Sequence, residues 1–391
     1  MHPFLLQSFP DFNSFSTPLL ILGLQGLLLA ILLYRRYLKK RLLPDILLTC
    51  ILLILCYHRT TYTIGFMNWY DVYRNTKINY YLVSMDMLMA PLIYFYVRSV
   101  LNPVFTLKRK HFWHALPWIV FFLLKMMILI YDSQQPGFDD IQNGYLVVNF
   151  QWPYMSPVVS VFSTAQMLLY LAFSFQLFYQ YKNDIKQFFS NTTKKELNWI
   201  QTFLFIYSFI FLYGIVQDYV DSNIFEMSWT QKWWIQFFSA LALLYFGVKG
   251  YFTDFGFLKD FEVSKIDRGR SELASKDKAF EDKKGAINSL FQNEKLFLDP
   301  ELNLAQLSER MSLNRMEVSE LINLGFGMNF NDFVNSYRIE QFKERLKKGD
   351  HTRMSLVGIA FDCGFNSKAT FNRVFKKEVR LTPSEYLQSL T

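Results

Sequence analysis

The stretch GIAFDCGFNSKATFNRVFKKEVRLTPSEY, residues 358–386, decides how the C-terminal part of this 391-residue chain folds. Ile359 and Cys363 fall on one face of a short helix. Gly364 suits the left-handed residue that ends a helix, and Asn366 or Ser367 can cap the next one. Phe371, Val374 and Phe375 then form an i, i+3, i+4 apolar stripe. The same pattern occurs earlier, in LSERMSLNRMEVSELIN (307–323). There Leu307 and Met311 precede a turn at Ser312–Asn314, and Val318, Leu321 and Ile322 form the stripe. The two stripes are offset by 53 residues, Val318 to Phe371. This is an internal duplication of helix-turn-helix units. Between them, NFNDFVNSYRIEQFKERL (329–346) places Phe330, Phe333, Val334, Tyr337, Phe342 and Leu346 at helical spacing. A helix of roughly 17 residues spans about 26 Å. With its flanking domains it can separate two recognition helices by about one DNA turn, roughly 34 Å.

The faces opposite the stripes differ in chemistry. In the second unit they carry Ala369, Arg373 and Lys376, flanked by Thr370 and Lys377, with Lys368 at the helix tip. Arg can donate to both guanine acceptors and Lys can neutralise phosphate. In the first unit the matching residues are Met316, Glu320 and Asn323, flanked by Glu317 and Ser319, with Arg315 at the tip. Residues 351–391 hold six Lys/Arg against three Asp/Glu, and residues 300–350 hold seven against eight. The second unit is therefore expected to supply most of the electrostatic affinity and the first more of the discrimination. Solvated charged faces would explain either helix alone; matching stripes in two units argue for double-stranded DNA as partner.

Residues 302–390, about a quarter of the chain, resemble the DNA-binding domain of AraC/XylS-type transcriptional regulators. The resemblance rests on GMNFNDFVNSYRIEQFKERL (327–346) and on IAFDCGFNSKATFNRVFKKEVRLTPSEY (359–386). It implies two helix-turn-helix units entering successive major grooves. By position it implies base-facing roles for Arg315, Met316 and Ser319 in the first unit and for Lys368, Thr370 and Arg373 in the second. With Asn323, Lys376 and Lys377 these form the expected DNA-binding set. Three positions depart from the family pattern: Ser308 replaces a common Ala, Glu320 is acidic where basic or amide residues are frequent, and Arg380 stands where Gly is usual. If position 380 needs positive φ, that swap costs about 1 kcal/mol.

The remainder of the chain is of another kind. Hydrophobic residues make up 51% of the whole and charged residues only 19%, below the roughly 25% charged residues of soluble proteins. Seven stretches, 17–35, 44–64, 79–101, 112–131, 155–179, 198–218 and 232–252, reach the roughly 20 apolar residues needed to cross a bilayer. The first lacks the basic cluster and cleavage site of a removable signal peptide. Alternate loops carry twelve Lys/Arg (Arg35, Arg36, Lys39, Lys40, Arg41, Lys108, Arg109, Lys110, Lys182, Lys186, Lys194 and Lys195), against Arg59, Arg74 and Lys77 on the other side. The positive-inside rule then puts the N-terminus outside and the C-terminus in the cytoplasm. Seven spans followed by this domain are similar to membrane-embedded members of the family.

Two charges, Asp86 and Lys125, lie in the outer halves of consecutive antiparallel spans. Each would cost about 2.5–3.5 kcal/mol unpaired at mid-membrane, so a pair is expected, either structural or marking a ligand- or ion-sensing pocket. The acidic, aromatic loop 132–155 reads as a lid or as plain connection. His111 and His114, without carboxylate or thiol neighbours, read as interfacial residues. The three cysteines, Cys50, Cys56 and Cys363, show no disulfide or metal spacing. From 253 to 285 the sequence is charged, and Ile266, Leu273, Phe280 and Ile287 recur every seven residues without a second seam, which gives a partly helical linker and slight support for dimer contact.

The expected fold is all-α: a seven-helix transmembrane bundle (1–252), a charged linker (253–285), and a cytoplasmic domain of two helix-turn-helix units joined by a long helix (286–391). The expected function is that of a bacterial membrane-integral one-component transcriptional regulator, multi-pass in the cytoplasmic (inner) membrane. Its partners would be promoter DNA, the lipid bilayer, a second copy in a homodimer, RNA polymerase, and an unidentified small-molecule or ion ligand. The alternative is a membrane transporter or receptor with a regulatory helix-turn-helix tail, although neither inverted repeat nor polar pore series is visible. No HExxH, GxSxG or paired intramembrane carboxylates occur, so no enzyme, cofactor or metal is expected.

Overall fold

The computed structural model describes residues 9–69, 84–102, 105–138, 143–192, 197–253 and 278–390. Among them all extended regular structure is helical. The chain divides into two compact units, Met1–Phe178 with Asn198–Glu262, and Tyr179–Leu197 with Val263–Thr391.

The first unit holds α1 (Ser16–Lys40), α2 (Leu43–Phe66), α3 (Asp86–Leu101), α4 (Leu116–Ser133), most of α5 (Ser156–Phe188), α6 (Asn198–Asn223) and α7 (Trp229–Phe252). Among the described residues, six helical segments are long and apolar enough to cross a membrane: α1, α2, Arg109–Ser133, Val147–Phe188, α6 and α7. The expected third crossing is represented by α3, 16 residues long, and the expected residues 79–83 lie outside the described ones.

Large apolar side chains cover the outside of these helices, among them Leu24 and Ile31 on α1, Met127 on α4, Val161 on α5 and Phe209 on α6. Water would make such a surface costly; hydrocarbon does not. Inside, small residues let helices approach. A Cβ at Gly26 would meet Leu243, and one at Gly247 would meet Leu29, so α1 and α7 interlock through reciprocal glycines. Where α1 turns into α2, the Arg36 guanidinium forks onto the Asp45 carboxylate (2.7 and 2.5 Å) and also donates to the Gly250 and Tyr251 carbonyls of α7. Asp45 is buried. One ion pair therefore ties three helix ends together.

Several expectations are corrected. Asp86 and Lys125 do not pair. Asp86 lies 3.5 Å from His58 Nδ1 and accepts from the Ser84 hydroxyl, while Lys125 donates to Gln151 Oε1 at 2.5 Å and has Asp132 as its charged neighbour. Asp86 is the first residue of α3, whereas Lys125 lies midway along α4, and each meets other partners. Arg59, counted with the outer loops, lies within α2, buried, and donates to Ser239 Oγ and to the Leu55 carbonyl. The loop 132–155 is largely helical from Tyr145 onward. Asp132 accepts the Leu146 and Val147 N–H groups, and a π-helical segment, Val147–Met155, leads into α5. Pro153, which has no N–H to give, lies within that segment.

The second unit contains α8 (Lys278–Asn293), α9 (Leu304–Met311), α10 (Arg315–Phe326), α11 (Phe330–Lys347), α12 (Leu356–Asp362), α13 (Lys368–Val379) and α14 (Pro383–Gln388). From α9 onward each of the α-helices named is capped by a side chain: Asn303, Asn314, Asn329, Ser355, Ser367 and Thr382 each accept a first-turn N–H. Such caps contribute about 1 kcal/mol apiece. Two apolar cores share the long helix α11. Phe330, Phe333 and Val334 join the first, with Phe280, Ile287 and Phe291 of α8 and the Val318–Leu321–Ile322 stripe of α10. Phe342 and Leu346 join the second, with Ile359, Cys363, Phe371, Val374 and Phe375. Phe280 and Ile287, two of the seven-residue positions, are thus buried within the same chain; Ile266 and Leu273 lie outside the described residues.

Candidate nucleic-acid interface

The second recognition helix, α13, has the geometry of a presented face. Ser367 caps it, accepting the Thr370 N–H at 3.1 Å. Phe371, Val374 and Phe375 bury one side, and Lys368, Ala369, Asn372, Arg373 and Lys376 remain exposed on the other. Thr370, by contrast, is buried, and its hydroxyl bonds to Ser367 Oγ. Lys377 is exposed and forms a 2.8 Å ion pair with Asp332 at the start of α11. Four cationic side chains therefore cluster on α13, three on its open face, where they can contact phosphates and guanine edges. Asn372 was missed in the sequence. Its spacing of four from both Lys368 and Lys376 puts it on that face, and Asn can bond adenine on two atoms.

In the first recognition helix, α10, the corresponding face is covered. Asn314 caps the helix, and Val318, Leu321 and Ile322 enter the core. Ser319 is 7% exposed, and Arg315, Met316 and Glu320 are half-buried. Asn323 is exposed. The Arg315 guanidinium stacks over the Phe188 ring at 5.4 Å.

Arg338, midway along α11, lies between the two helix-turn-helix units. It is 1% exposed and has no carboxylate partner among the described residues. It donates instead to the Phe297 carbonyl (2.7 Å), the Asp299 carbonyl (2.7 Å), the Ser190 hydroxyl (3.2 Å) and the Asn335 amide oxygen (3.4 Å). Burial pulls its pKa down to about 10, leaving it charged at neutral pH. Sequence reasoning passed over it, although a cation between Val334 and Phe342, four residues from each on the core stripe, was the available signal. Next to it Cys363 is buried, and burial pushes its thiol up to about 11; it behaves as a core residue.

Residues 307–389 match the family described as Helix-turn-helix domain. An uncharacterized HTH-type transcriptional regulator of Staphylococcus aureus (strain COL) is 32% identical over 100 residues, covering 26% of this chain and 13% of that protein. The counterpart from strain N315 matches equally. The HTH-type transcriptional activator RhaS of Mannheimia succiniciproducens is 29% identical over 87 residues, 22% of this chain and 31% of its own. The chain thus spans about an eighth of the length of the staphylococcal relatives it matches. No solved structure matches. Residues 307–389 carry a helix-turn-helix domain of the AraC type.

Proposed function

We propose that this chain is a membrane-integral, one-component transcriptional regulator, in which the N-terminal bundle controls promoter binding by the AraC-type domain. The observation that carries the reading is the open face of α13: Lys368, Arg373 and Lys376 are exposed on an AraC-type domain. Among the described residues, six helical segments are long and apolar enough to cross a membrane, with apolar side chains outward. The excess of Lys and Arg in alternate loops supports an external N-terminus and a cytoplasmic C-terminus, where the chromosome is accessible.

In this reading Arg373 and Asn372 read bases, Lys368 and Lys376 hold phosphates, and α10 contributes Arg315, Met316 and Asn323 to a second groove. Two copies bind a promoter as a homodimer and contact RNA polymerase. The bundle responds to an external small molecule or ion that binds its two states unequally. Asp86 with His58, and Lys125 with Gln151 and Asp132, are the polar groups placed to distinguish such states.

Two measurements on the full-length chain test this. Fusions of alkaline phosphatase and of a fluorescent protein to the C-terminus should give fluorescence and no phosphatase activity. Transcript profiles of cells with wild-type protein and with Arg373→Ala should differ at a discrete set of genes. An active phosphatase, or identical transcripts, would refute it.

A further inference from the structure

We propose that residues 188–192, the turn that ends α5, are an internal occupant of the first helix-turn-helix unit and hold α10 out of DNA until the bundle withdraws them. It rests on the DNA-binding function proposed above and adds the device that regulates it.

The 53-residue duplication supplies an internal control. Arg315, Met316, Ser319 and Glu320 of α10 correspond to Lys368, Ala369, Asn372 and Arg373 of α13. All four are exposed in α13; in α10 three are half-buried and Ser319 is buried. The same fold unit thus presents one recognition face and covers the other. Phe188 is part of the cover: it packs on the first core and lies under the Arg315 guanidinium.

What anchors Phe188 there is a specific seat. Asn331 donates its amide to the Phe189 and Ser190 carbonyls (3.2 and 2.7 Å). Ser190 donates its N–H (3.1 Å) and its hydroxyl (2.6 Å) to the Leu302 carbonyl, and accepts from Arg338 at 3.2 Å. Ser190 is 1% exposed. Bonds of this number and burial, between residues more than 100 apart in sequence, define a docked segment rather than a passing loop. The segment continues α5, whose 33 residues extend about 50 Å, longer than the roughly 30 Å hydrocarbon layer. A shift or rotation of α5 within the bundle would therefore pull directly on Phe188 and Ser190.

The test uses full-length protein in nanodiscs on its own promoter DNA. Wild type should protect one half-site per copy. Phe188→Ala and Ser190→Leu should each extend protection to a second half-site per copy, one turn away, and tighten binding on the order of 10²-fold, as adding a linked module does. Conversely, Phe189 and Asn303 form an antiparallel bridge pair, close enough for a disulfide. Phe189→Cys with Asn303→Cys, in a background without the native cysteines, should lock the single half-site footprint until reductant is added. Two protected half-sites per copy in wild type or in the cross-linked protein, or an unchanged footprint in both release variants, would overturn the inference while Arg373→Ala still weakens binding and relaxes its specificity. DNA binding absent throughout, or indifferent to Arg373→Ala, would instead overturn the DNA-binding reading and this inference with it.

Discussion

Gly364 packs directly against Arg338: a Cβ at position 364 would stand 2.8 Å from Arg338 Nε and 3.0 Å from the Leu298 carbonyl, and closer still to the Phe297 carbonyl. Gly364 also has φ +93°. The turn of the second helix-turn-helix unit is thus fitted against the cation that joins it to the first. Both the backbone conformation and the space require glycine there.

Replacing Gly364 with Ala should therefore destabilise the domain by about 2–4 kcal/mol, combining left-handed strain with overpacking. Neighbouring Cys363 is buried and reports the opening. In a Cys50→Ser, Cys56→Ser background, thiol labelling of Cys363 in the full-length protein should accelerate by about thirtyfold or more.

Arg380 predicts the opposite sign. It ends α13 at φ 67° and ψ 0°, left-handed for a residue with a Cβ. Arg380→Gly should stabilise the domain by about 0.5–1 kcal/mol, slowing the same Cys363 labelling. The gain should appear as a change of about two- to fivefold.

On α13, Arg373→Ala should cost about 1–3 kcal/mol of DNA affinity and relax specificity at one base position. Lys376→Ala should instead weaken all sequences alike and lower the slope of log K against log salt by about 0.9. Thr370→Val, at a buried position, should leave sequence preference unchanged. Fluorescence anisotropy with a panel of single-base variants separates the three.

Asp45 and Arg36 make a further test, within the bundle. Asp45→Leu leaves the half-buried Arg36 guanidinium without its buried carboxylate partner, and breaking a fully buried pair costs about 3–5 kcal/mol, the upper bound here. The amount of full-length protein in membranes should fall, and the double variant Arg36→Met with Asp45→Leu should recover most of it.

Local chemistry explains which features could be read from sequence. Gly364 as a left-handed terminator, Ser367 as a cap and the Phe371–Val374–Phe375 stripe depend on neighbours within one turn, and all three stand as expected. The left-handed conformation at Arg380 followed from the departure at that position. Partners far apart in sequence did not follow. Ser190 meets Arg338 across 148 residues, and nothing local to either announces the other. In the bundle the difficulty is rotational. Helices apolar on all sides carry little periodic signal, so the partners that Asp86 and Lys125 meet could not be read. The nine-residue π-helical segment before α5 was hidden likewise, because Asp132, which binds its first N–H groups, lies beyond the preceding loop.

The central claim is that a chain embedded in the membrane reads the chromosome through α13. It is tested most directly by isolating membranes from cross-linked cells that make the tagged full-length protein and sequencing the DNA recovered with it. The account predicts a small number of discrete chromosomal sites, sharing one motif and lost in Arg373→Ala. Recovery without discrete sites, or the same sites with Arg373→Ala, would contradict it.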